Sequence, residues 1–151
     1  HKFAKGGPLK LGGLIIDWTE HLEGHSDGDV LLHAIASSIL GSAGLGDLGG
    51  HFPSSDPKYK DYDSALFLTE SSGLIQDLGW EIIHIDATII AQQPRLSSYI
   101  SPIEKRIKSL LKPKNPSLSV NVKVTSTDGL GTIGKGAGIA SQSIVTVRQQ
   151  K

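Results

Sequence analysis

Alternating apolar and polar residues in two separate segments constrain the fold of this chain more than any other feature. Residues 80–90 (WEIIHIDATII) and 118–126 (LSVNVKVTS) both show the two-residue period of a β-strand with one buried face. A helical segment from Ser101-Pro102 to about Leu111 lies between them. The residues predicted to face the core are Ile83, Ile85, Ala87 and Ile89 in the first strand and Leu118, Val120, Val122 and Val124 in the second.

The remaining segments complete an α/β plan. Residues 8–18 (PLKLGGLIIDW) are predicted to form a strand with a turn or bulge at Gly12-Gly13, and residues 138–147 (GIASQSIVTV) form a last strand. Two more helices are predicted, from Asp29 to about Leu40 with Gly41 at its end and Leu31, Ala34, Ile35 and Leu40 buried, and from Ser64 to Leu78 before Gly79. We therefore expect one domain over residues 1–151, an α/β (α+β) sandwich whose small mixed four-stranded sheet carries helices on one face.

The second face of this sheet needs an explanation, because helices cover only one side of a sheet this small. That face carries Thr, Ser, Asn and Gln mixed with apolar residues. Exposure to solvent is the simpler interpretation. We favour an oligomer in which sheets pack face to face around a symmetry axis.

Composition excludes several classes of function. Lys plus Arg and Asp plus Glu both number 15, so a net charge of zero gives no general attraction to nucleic acid or an anionic membrane. Cysteine is absent, which rules out disulfides and thiolate zinc sites, and no apolar run approaches the length of a membrane span. Methionine is absent too. We therefore expect His1 to be an internal residue of a longer protein.

The segment 23–41 (EGHSDGDVLLHAIASSILG) concentrates reactive side chains at the start of the first helix. His25 and Ser26 precede the helix, where free backbone N–H groups and the helix dipole attract anions. Asp29, His33 and Ser37 then share one helix face, so a carboxylate is placed to orient an imidazole. This pattern indicates a phosphate site beside a metal ligand. A tetrahedral metal would need at least one ligand beyond the two histidines.

The structural alternative for this segment is simpler. Asp27 would be the N-cap of the helix, and His33 would be an ordinary core histidine. Each residue taken alone fits that alternative. The density of five polar side chains at one helix start favours function for the group.

Three further segments are candidates for binding. Residues 129–136 (GLGTIGKG) have the spacing of a phosphate loop, but Gly136 replaces its Ser or Thr and a strand pattern follows, so we reject a P-loop NTPase. The preceding TSTD, residues 125–128, offers hydroxyls and a carboxylate for phosphate and a cation, or is an ordinary polar turn. Residues 91–96 (AQQPRL) follow a strand and offer backbone groups to a base edge, or simply connect two elements.

The chain contains, in this order, the segments HSDGDVLLHA, GDLGGHFPSSDPKYK, DATIIAQQPRL and VKVTSTDGLGTIGKGAGIA. Together they cover most of the chain and resemble the 2-C-methyl-D-erythritol 2,4-cyclodiphosphate synthase family of the non-mevalonate isoprenoid pathway. The resemblance implies a homotrimer with active sites at subunit boundaries. It also implies one Zn2+ per site and Mg2+ or Mn2+ as a second cation. No nucleic acid or membrane partner is implied, and the expected location is the bacterial cytoplasm or the plastid stroma.

The resemblance also assigns the site. His1 and His33 would bind zinc with an Asp upstream of the chain, which implies that the first residues of the family's first strand are missing. Asp128 would bind the second cation, where the family usually has Glu, and His25 and Ser126 would stabilise the transition state. The positions expected to contact substrate are His1, Ser26, His33, Asp47, Leu48, Gly49, Phe52, Pro53, Ser54, Ser55, Asp56, Ala91, Gln92, Gln93, Pro94, Arg95, Leu96, Ser97, Thr125, Thr127, Asp128, Thr132 and Lys135.

Some positions depart from the family pattern. Ser37 stands where an acidic residue is expected, and Thr132, Gln142 and Lys135 replace an aromatic residue, Glu and Arg. The last three changes concern the axial cavity for isoprenoid phosphates and leave the chemistry intact.

The reaction that the resemblance implies is an intramolecular cyclisation. The 2-phosphate of a cytidine diphosphate ester of methylerythritol attacks the β-phosphorus, and CMP leaves. Because every reacting group is anionic, cations and aligned donors must offset the repulsion. The alternatives are a metal-dependent phosphohydrolase that releases inorganic phosphate and a non-catalytic trimeric module that binds nucleotides.

Overall fold

The computed structural model describes residues 1–111 and 116–150. The strands are β1 (Phe3–Lys5), β2 (Leu9–Leu11), β3 (Leu14–Ile16), β4 (Glu20–Leu22), β5 (Trp80–Ile90), β6 (Ser119–Thr125) and β7 (Ala140–Gln149). The helices are α1 (Val30–Ser42), α2 (Leu48–His51), α3 (Ser64–Asp77), α4 (Ile100–Leu111) and α5 (Gly131–Gly134), with 3-10 turns at Pro57–Tyr59 and Ser97–Tyr99. The predicted limits of β5 are confirmed, and those of α3 and α4 agree to within one residue.

The main sheet has three strands in the described part of the chain, in the order β6-β5-β7, where we predicted four. Strands β5 and β6 are parallel because α4 crosses between them, whereas β5 and β7 are antiparallel. The segment predicted as the fourth strand instead forms the separate β2–β3 hairpin. Its turn residues Gly12 and Gly13 have φ +63° and +73°, so the chain reverses there instead of extending along the sheet.

A β-bulge in β5 changes which isoleucines face the core. The register against β7 shifts between Ile82 and His84, so Ile82 is buried and Ile83 is only half-buried. The prediction for Ile83 was therefore wrong, because periodicity assumes an unbroken pleat. The other inward residues of β5 are buried as predicted, namely Ile85, Ala87 and Ile89.

Helices α1, α3 and α4 form a single layer against one face of the main sheet. Helix α1 extends past Gly41 to Ser42, two residues beyond the predicted end. Leu31, Ile35 and Leu40 are buried as predicted, while Ala34 is half-buried. Within residues 1–111 and 116–150, none of the helices has the length and apolarity to cross a bilayer.

The face of the main sheet opposite the helices is open. It carries the Asp86–Lys123 ion pair, which Asn121 joins by donating to Asp86 at 2.8 Å. Donors from Lys123 and Asn121 hold the pKa of Asp86 below its usual range. Ile144 lies on the same face with 71% of its surface exposed. The predicted mixture of polar and apolar side chains is therefore present, and the oligomer stays a prediction.

The turn before α1 requires glycine at position 28. Gly28 has φ +78°, and a Cβ atom there would lie 2.1 Å from the carbonyl oxygen of Leu22. We expect Gly28→Ala to lower the free energy of unfolding by roughly 2–4 kcal/mol, because left-handed strain of about 1–3 kcal/mol adds to the backbone clash. Urea denaturation of the variant measures this loss.

Gly41→Ala is the matched control. Gly41 lies within α1, and no heavy atom comes within 4 Å of a Cβ built there. This substitution should raise the free energy of unfolding by about 0.5–1 kcal/mol, since alanine loses less entropy in a helix than glycine. Similar losses for both variants would contradict the role assigned to Gly28.

Candidate functional site

Asp29 joins the start of α1 to the β2–β3 hairpin. Its carboxylate accepts hydrogen bonds from the backbone N–H groups of Leu32 at 3.0 Å, Gly12 at 2.9 Å and Gly13 at 2.7 Å. Asp29 is thus the N-cap of α1, which corrects both the alternative that assigned the cap to Asp27 and the prediction that Asp29 orients His33. Burial raises the pKa of Asp29 to about 6, against the three backbone donors that lower it.

This raised pKa predicts a pH dependence of stability. Because the folded pKa lies above the usual value of 3.8, the stabilisation is fully present below that pH and is lost as the pH rises through about 6. A shift of this size corresponds to roughly 3 kcal/mol. In urea denaturation from pH 4 to pH 7, the stability of the wild type relative to Asp29→Asn should fall by about that amount. A relative stability that rises with pH would contradict this assignment.

His33 is held by two serine hydroxyls. Its Nε2 atom lies 2.8 Å from Ser26 Oγ and 2.9 Å from Ser64 Oγ, and Ser64 Oγ in turn donates to Asp27. Burial lowers the pKa of His33, against the charge of Asp27, which raises it. The imidazole is therefore stabilised in the neutral form that binds metals. The carboxylate linked to His33 is Asp27, which acts through Ser64.

His1 lies beside His33. The two ring centroids are 5.3 Å apart, and His1 Nδ1 lies 2.7 Å from the carbonyl oxygen of Glu23. Two imidazoles that bind one zinc ion at about 2.0–2.1 Å with a tetrahedral angle place their centroids about 5 Å apart, so this pair fits a shared ion. Among the described residues, no group of three His, Cys, Asp or Glu side chains could hold a metal. The structure thus places two imidazoles close enough to share one ion, and zinc binding itself stays a prediction.

The loop at residues 52–63 packs on Phe67 of α3, which in turn contacts His33. Phe52 and Tyr59 are buried on Phe67, and the ring of Phe67 lies 5.6 Å from that of His33. Residues 54–58 between them are exposed. The loop is therefore anchored at Phe52 and Tyr59, with its tip open to a ligand.

Other predicted residues near this loop have structural partners. The Asp47 carboxylate caps α2 by accepting from Gly50 N–H at 2.8 Å, and Asp56 accepts from Lys58 N–H at 2.9 Å. His25 is exposed, and its carbonyl oxygen accepts from Asp61 N–H at 3.0 Å. Both His25 and Ser26 precede α1, which begins at Val30, as predicted.

A second group of predicted residues gathers at the carboxyl ends of β5 and β6. Ala91 N–H donates to the Thr125 carbonyl oxygen at 3.0 Å, and a Cβ atom at Gly136 would lie 3.1 Å from the Gln93 side chain. The loop at residues 91–96, the TSTD turn and the glycine-rich segment therefore share one edge of the sheet. Ala91 and Leu96 are buried and shape the loop from within.

The side chains of the TSTD turn form hydrogen bonds within the turn itself. Ser126 Oγ donates to Asp128 Oδ1 at 3.0 Å and accepts from Asp128 N–H at 3.2 Å. Asp128 has φ +51°, a conformation that Asp tolerates better than most residues. Thr127 Oγ1 donates to the Leu130 carbonyl oxygen at 2.7 Å. Ser126 and Asp128 are therefore exposed and paired, while Thr127 stabilises the turn.

Within the described residues the side chains of the two groups do not bond to one another, although the His1 backbone exchanges hydrogen bonds with Ile139, just after the glycine-rich segment. Over residues 1–111 and 116–150, no hydrogen bond, ion pair or ring contact joins His1, His25, Ser26 or His33 to residues 125–128. Ser64 was missed by the sequence analysis, since a serine at a helix start looks like an ordinary capping residue. Only its position opposite His33, 31 residues away, distinguishes it.

Comparisons with known proteins all identify the same family of proteins. The family model described as the YgbB family matches residues 1–148. The 2-C-methyl-D-erythritol 2,4-cyclodiphosphate synthase of Syntrophomonas wolfei is 45% identical over 149 residues, which cover 99% of this chain and 94% of that protein. The protein of the same name from Bacillus cereus strain B4264 is also 45% identical, over 150 residues that cover 99% of this chain and 94% of that protein.

Solved structures show the same similarity. The bifunctional IspDF from Campylobacter jejuni superimposes with a TM-score of 0.92 at 38% identity, covering 99% of this chain, which spans only 40% of that protein. The CDP complex of IspF from Plasmodium falciparum superimposes with a TM-score of 0.85 at 31% identity, covering all of this chain and 92% of that one. Of these two neighbours, the Plasmodium falciparum protein is described as a complex with CDP.

Proposed function

We infer that this chain, which belongs to the YgbB family, catalyses the 2-C-methyl-D-erythritol 2,4-cyclodiphosphate synthase reaction of isoprenoid precursor biosynthesis. The observation that carries this conclusion is identity of about 45% over nearly the whole length of both this chain and its relatives. The alternatives, a phosphohydrolase and a non-catalytic nucleotide-binding module, are not favoured, since the matches carry a synthase name.

The reaction balances within one substrate molecule. An oxygen of the 2-phosphate on 4-diphosphocytidyl-2-C-methyl-D-erythritol 2-phosphate forms a bond to the β-phosphorus, and the bond from that phosphorus to CMP breaks. The electron pair leaves with CMP, so no water and no covalent protein intermediate are needed. Folding the substrate into line replaces an encounter between two molecules.

The residues at the start of α1 fit the anionic side of this reaction. Ser26 and His25 lie at the N-terminal end of the helix, where backbone N–H groups and the dipole favour phosphate oxygens. His1 and His33 would hold a zinc ion together with a ligand from outside the described residues. This ion would supply Lewis-acid polarisation of the β-phosphate. Asp128 would hold Mg2+ or Mn2+ at the other group.

We further propose that three copies assemble around an axis through the open sheet face. Two observations support it: among the described residues no hydrogen bond, ion pair or ring contact joins residues 125–128 to the histidine pair, and Ile144 is exposed on that face beside the Asp86–Lys123 pair. A trimer would let residues 125–128 of one subunit complete the site of the next. A monomer at micromolar concentration in light scattering would count against this assembly.

The loop at residues 91–96 is expected to prefer cytosine. It follows β5 next to the TSTD turn, and its residues 92–95 are exposed or half-buried. Uracil has a carbonyl where cytosine has an amino donor, and a buried acceptor facing it costs roughly 1–3 kcal/mol. CMP should thus bind about 10- to 100-fold more tightly than UMP in calorimetry, with AMP as the control for ribose and phosphate contacts. Equal affinities for CMP and UMP would remove this assignment.

Product analysis tests the function directly. Mass spectrometry after incubation with the diphosphocytidyl substrate and divalent cations should show CMP and a cyclic diphosphate in equal amounts. Release of inorganic phosphate would indicate the phosphohydrolase. Binding of the nucleotide without turnover would indicate the non-catalytic module.

A further inference from the structure

Hydrogen bonds decide which ring nitrogen of His1 carries the proton. His1 Nδ1 lies 2.7 Å from the carbonyl oxygen of Glu23. A carbonyl oxygen only accepts, so Nδ1 of a neutral His1 is the protonated nitrogen. Its Nε2 atom therefore keeps a free lone pair.

The proton position on His33 is fixed in the same way, through one more residue. Ser64 has a single hydroxyl proton, and it donates this proton to the Asp27 carboxylate, which only accepts. Towards His33, Ser64 Oγ can then offer only lone pairs. Since His33 Nε2 lies 2.9 Å from that oxygen, Nε2 must be the donor.

Asp27 is firmly held in the orientation that accepts the Ser64 proton. It accepts from the backbone N–H groups of Ser64 at 3.1 Å and Asp29 at 3.2 Å, and Lys10 Nζ lies 3.4 Å from its second oxygen. Only 9% of the Asp27 side chain is exposed, and Ser64 is fully buried. Water is therefore kept away from the hydroxyl, and its proton has no competing acceptor besides His33.

We propose that Asp27 and Ser64 are positioning residues that lock His33 as the Nε2–H tautomer, so that Nδ1 of His33 and Nε2 of His1 are the nitrogens offered to a metal ion. That these nitrogens bind a metal rests on the proposed function, whereas the tautomers follow from the protein's own hydrogen bonds. Ser26 Oγ, 2.8 Å from the same His33 nitrogen, also accepts from it. The Ser26 proton thus stays available for a phosphate oxygen.

Nitrogen NMR of the metal-free protein tests the tautomers. The full chain, labelled with 15N-histidine and recorded at alkaline pH, reports proton positions on all six histidine rings. His33→Gln and His1→Gln variants assign the two signals. We expect Nε2–H for His33 and Nδ1–H for His1. An Nδ1–H form of His33 would overturn the proposal.

Ser64→Ala tests the hydrogen-bond relay, which runs from Asp27 through Ser64 to His33. Ser71→Ala is its matched control. Both serines are fully buried in α3, but Ser71 Oγ has no hydrogen-bond partner among the described residues. Without Ser64, His33 keeps only Ser26, whose hydroxyl both donates and accepts, so the His33 signals should shift towards a mixture of tautomers. Zinc affinity, measured by competition with a chelator, should fall about 10- to 100-fold in Ser64→Ala and stay unchanged in Ser71→Ala.

The outcomes separate this inference from the proposed function. A wild-type protein that binds no zinc but shows Nε2–H on His33 refutes the metal site and leaves the relay standing. A protein that binds zinc and forms the cyclic product but shows Nδ1–H on His33 refutes the relay alone. Equal loss of zinc affinity in both serine variants would make the effect one of general stability and would also overturn the relay.

Discussion

His33→Ala is expected to lower kcat by about 10³-fold or more, because a Lewis-acid metal contributes several kcal/mol and each 1.36 kcal/mol is a factor of ten. The variant removes one of two neighbouring imidazoles, whose centroids are 5.3 Å apart, and so opens the proposed zinc site too far for tight binding. Zinc content by atomic emission and steady-state kinetics measure both effects.

Two further variants control for damage to the fold. His33→Gln keeps most of the volume and a donor for Ser26 and Ser64 but supplies no imidazole, so it should lose zinc with the fold intact. His21→Ala removes a histidine whose ring instead contacts the carbonyl oxygen of Gly6, and it should retain zinc and activity. If His33→Ala still binds one zinc per chain, His33 is structural and the proposed site is wrong.

His25→Ala and Ser126→Ala are expected to lower kcat by about 10²–10³-fold each, while substrate binding changes far less. His25 precedes α1, and Ser126 lies exposed in the turn after β6, so each can aim a donor at a bound phosphate. Donors aimed at developing charge act more strongly on the transition state than on the bound substrate. His25 should show the larger loss when it is charged, since charge-assisted hydrogen bonds are stronger.

The control for these variants is Ser109→Ala. Ser109 is an exposed serine of α4 whose hydroxyl donates to the Arg106 carbonyl oxygen at 2.8 Å, so its loss should leave kcat unchanged. Losses that appear only as a higher KM in both His25→Ala and Ser126→Ala would reduce these residues to phosphate binding.

Ser126→Ala needs one more measurement, because Ser126 also holds the Asp128 carboxylate at 3.0 Å. Titration with Mg2+ separates the two roles. A kcat that returns to the wild-type level at high Mg2+ would show that Ser126 acts through the cation at Asp128. A deficit that persists at saturating Mg2+ supports direct stabilisation of charge.

Much of the site could be predicted from the sequence, but the hydrogen bonds between its side chains could not. The segment at the start of α1 already indicated a phosphate site beside a metal ligand, and the structure places His33 next to His1 there. The sequence predicts Asp29 as the carboxylate partner of His33 because residues four apart share a helix face. Asp29 instead faces the β2–β3 turn, where two backbone donors bind it.

Local periodicity in the sequence determined β5, α3, α4 and the buried side of most elements, because each depends on residues only two to four positions apart. The segment motifs likewise determined the family. Tertiary structure alone decided three things: that residues 8–18 form a separate hairpin, that a bulge turns Ile82 inward, and that Ser64 and Asp27 reach His33. These depend on how α1, α3 and the hairpin pack together. No pattern of neighbouring residues encodes that packing, since its partners are tens of residues apart and meet only when the shared core is buried.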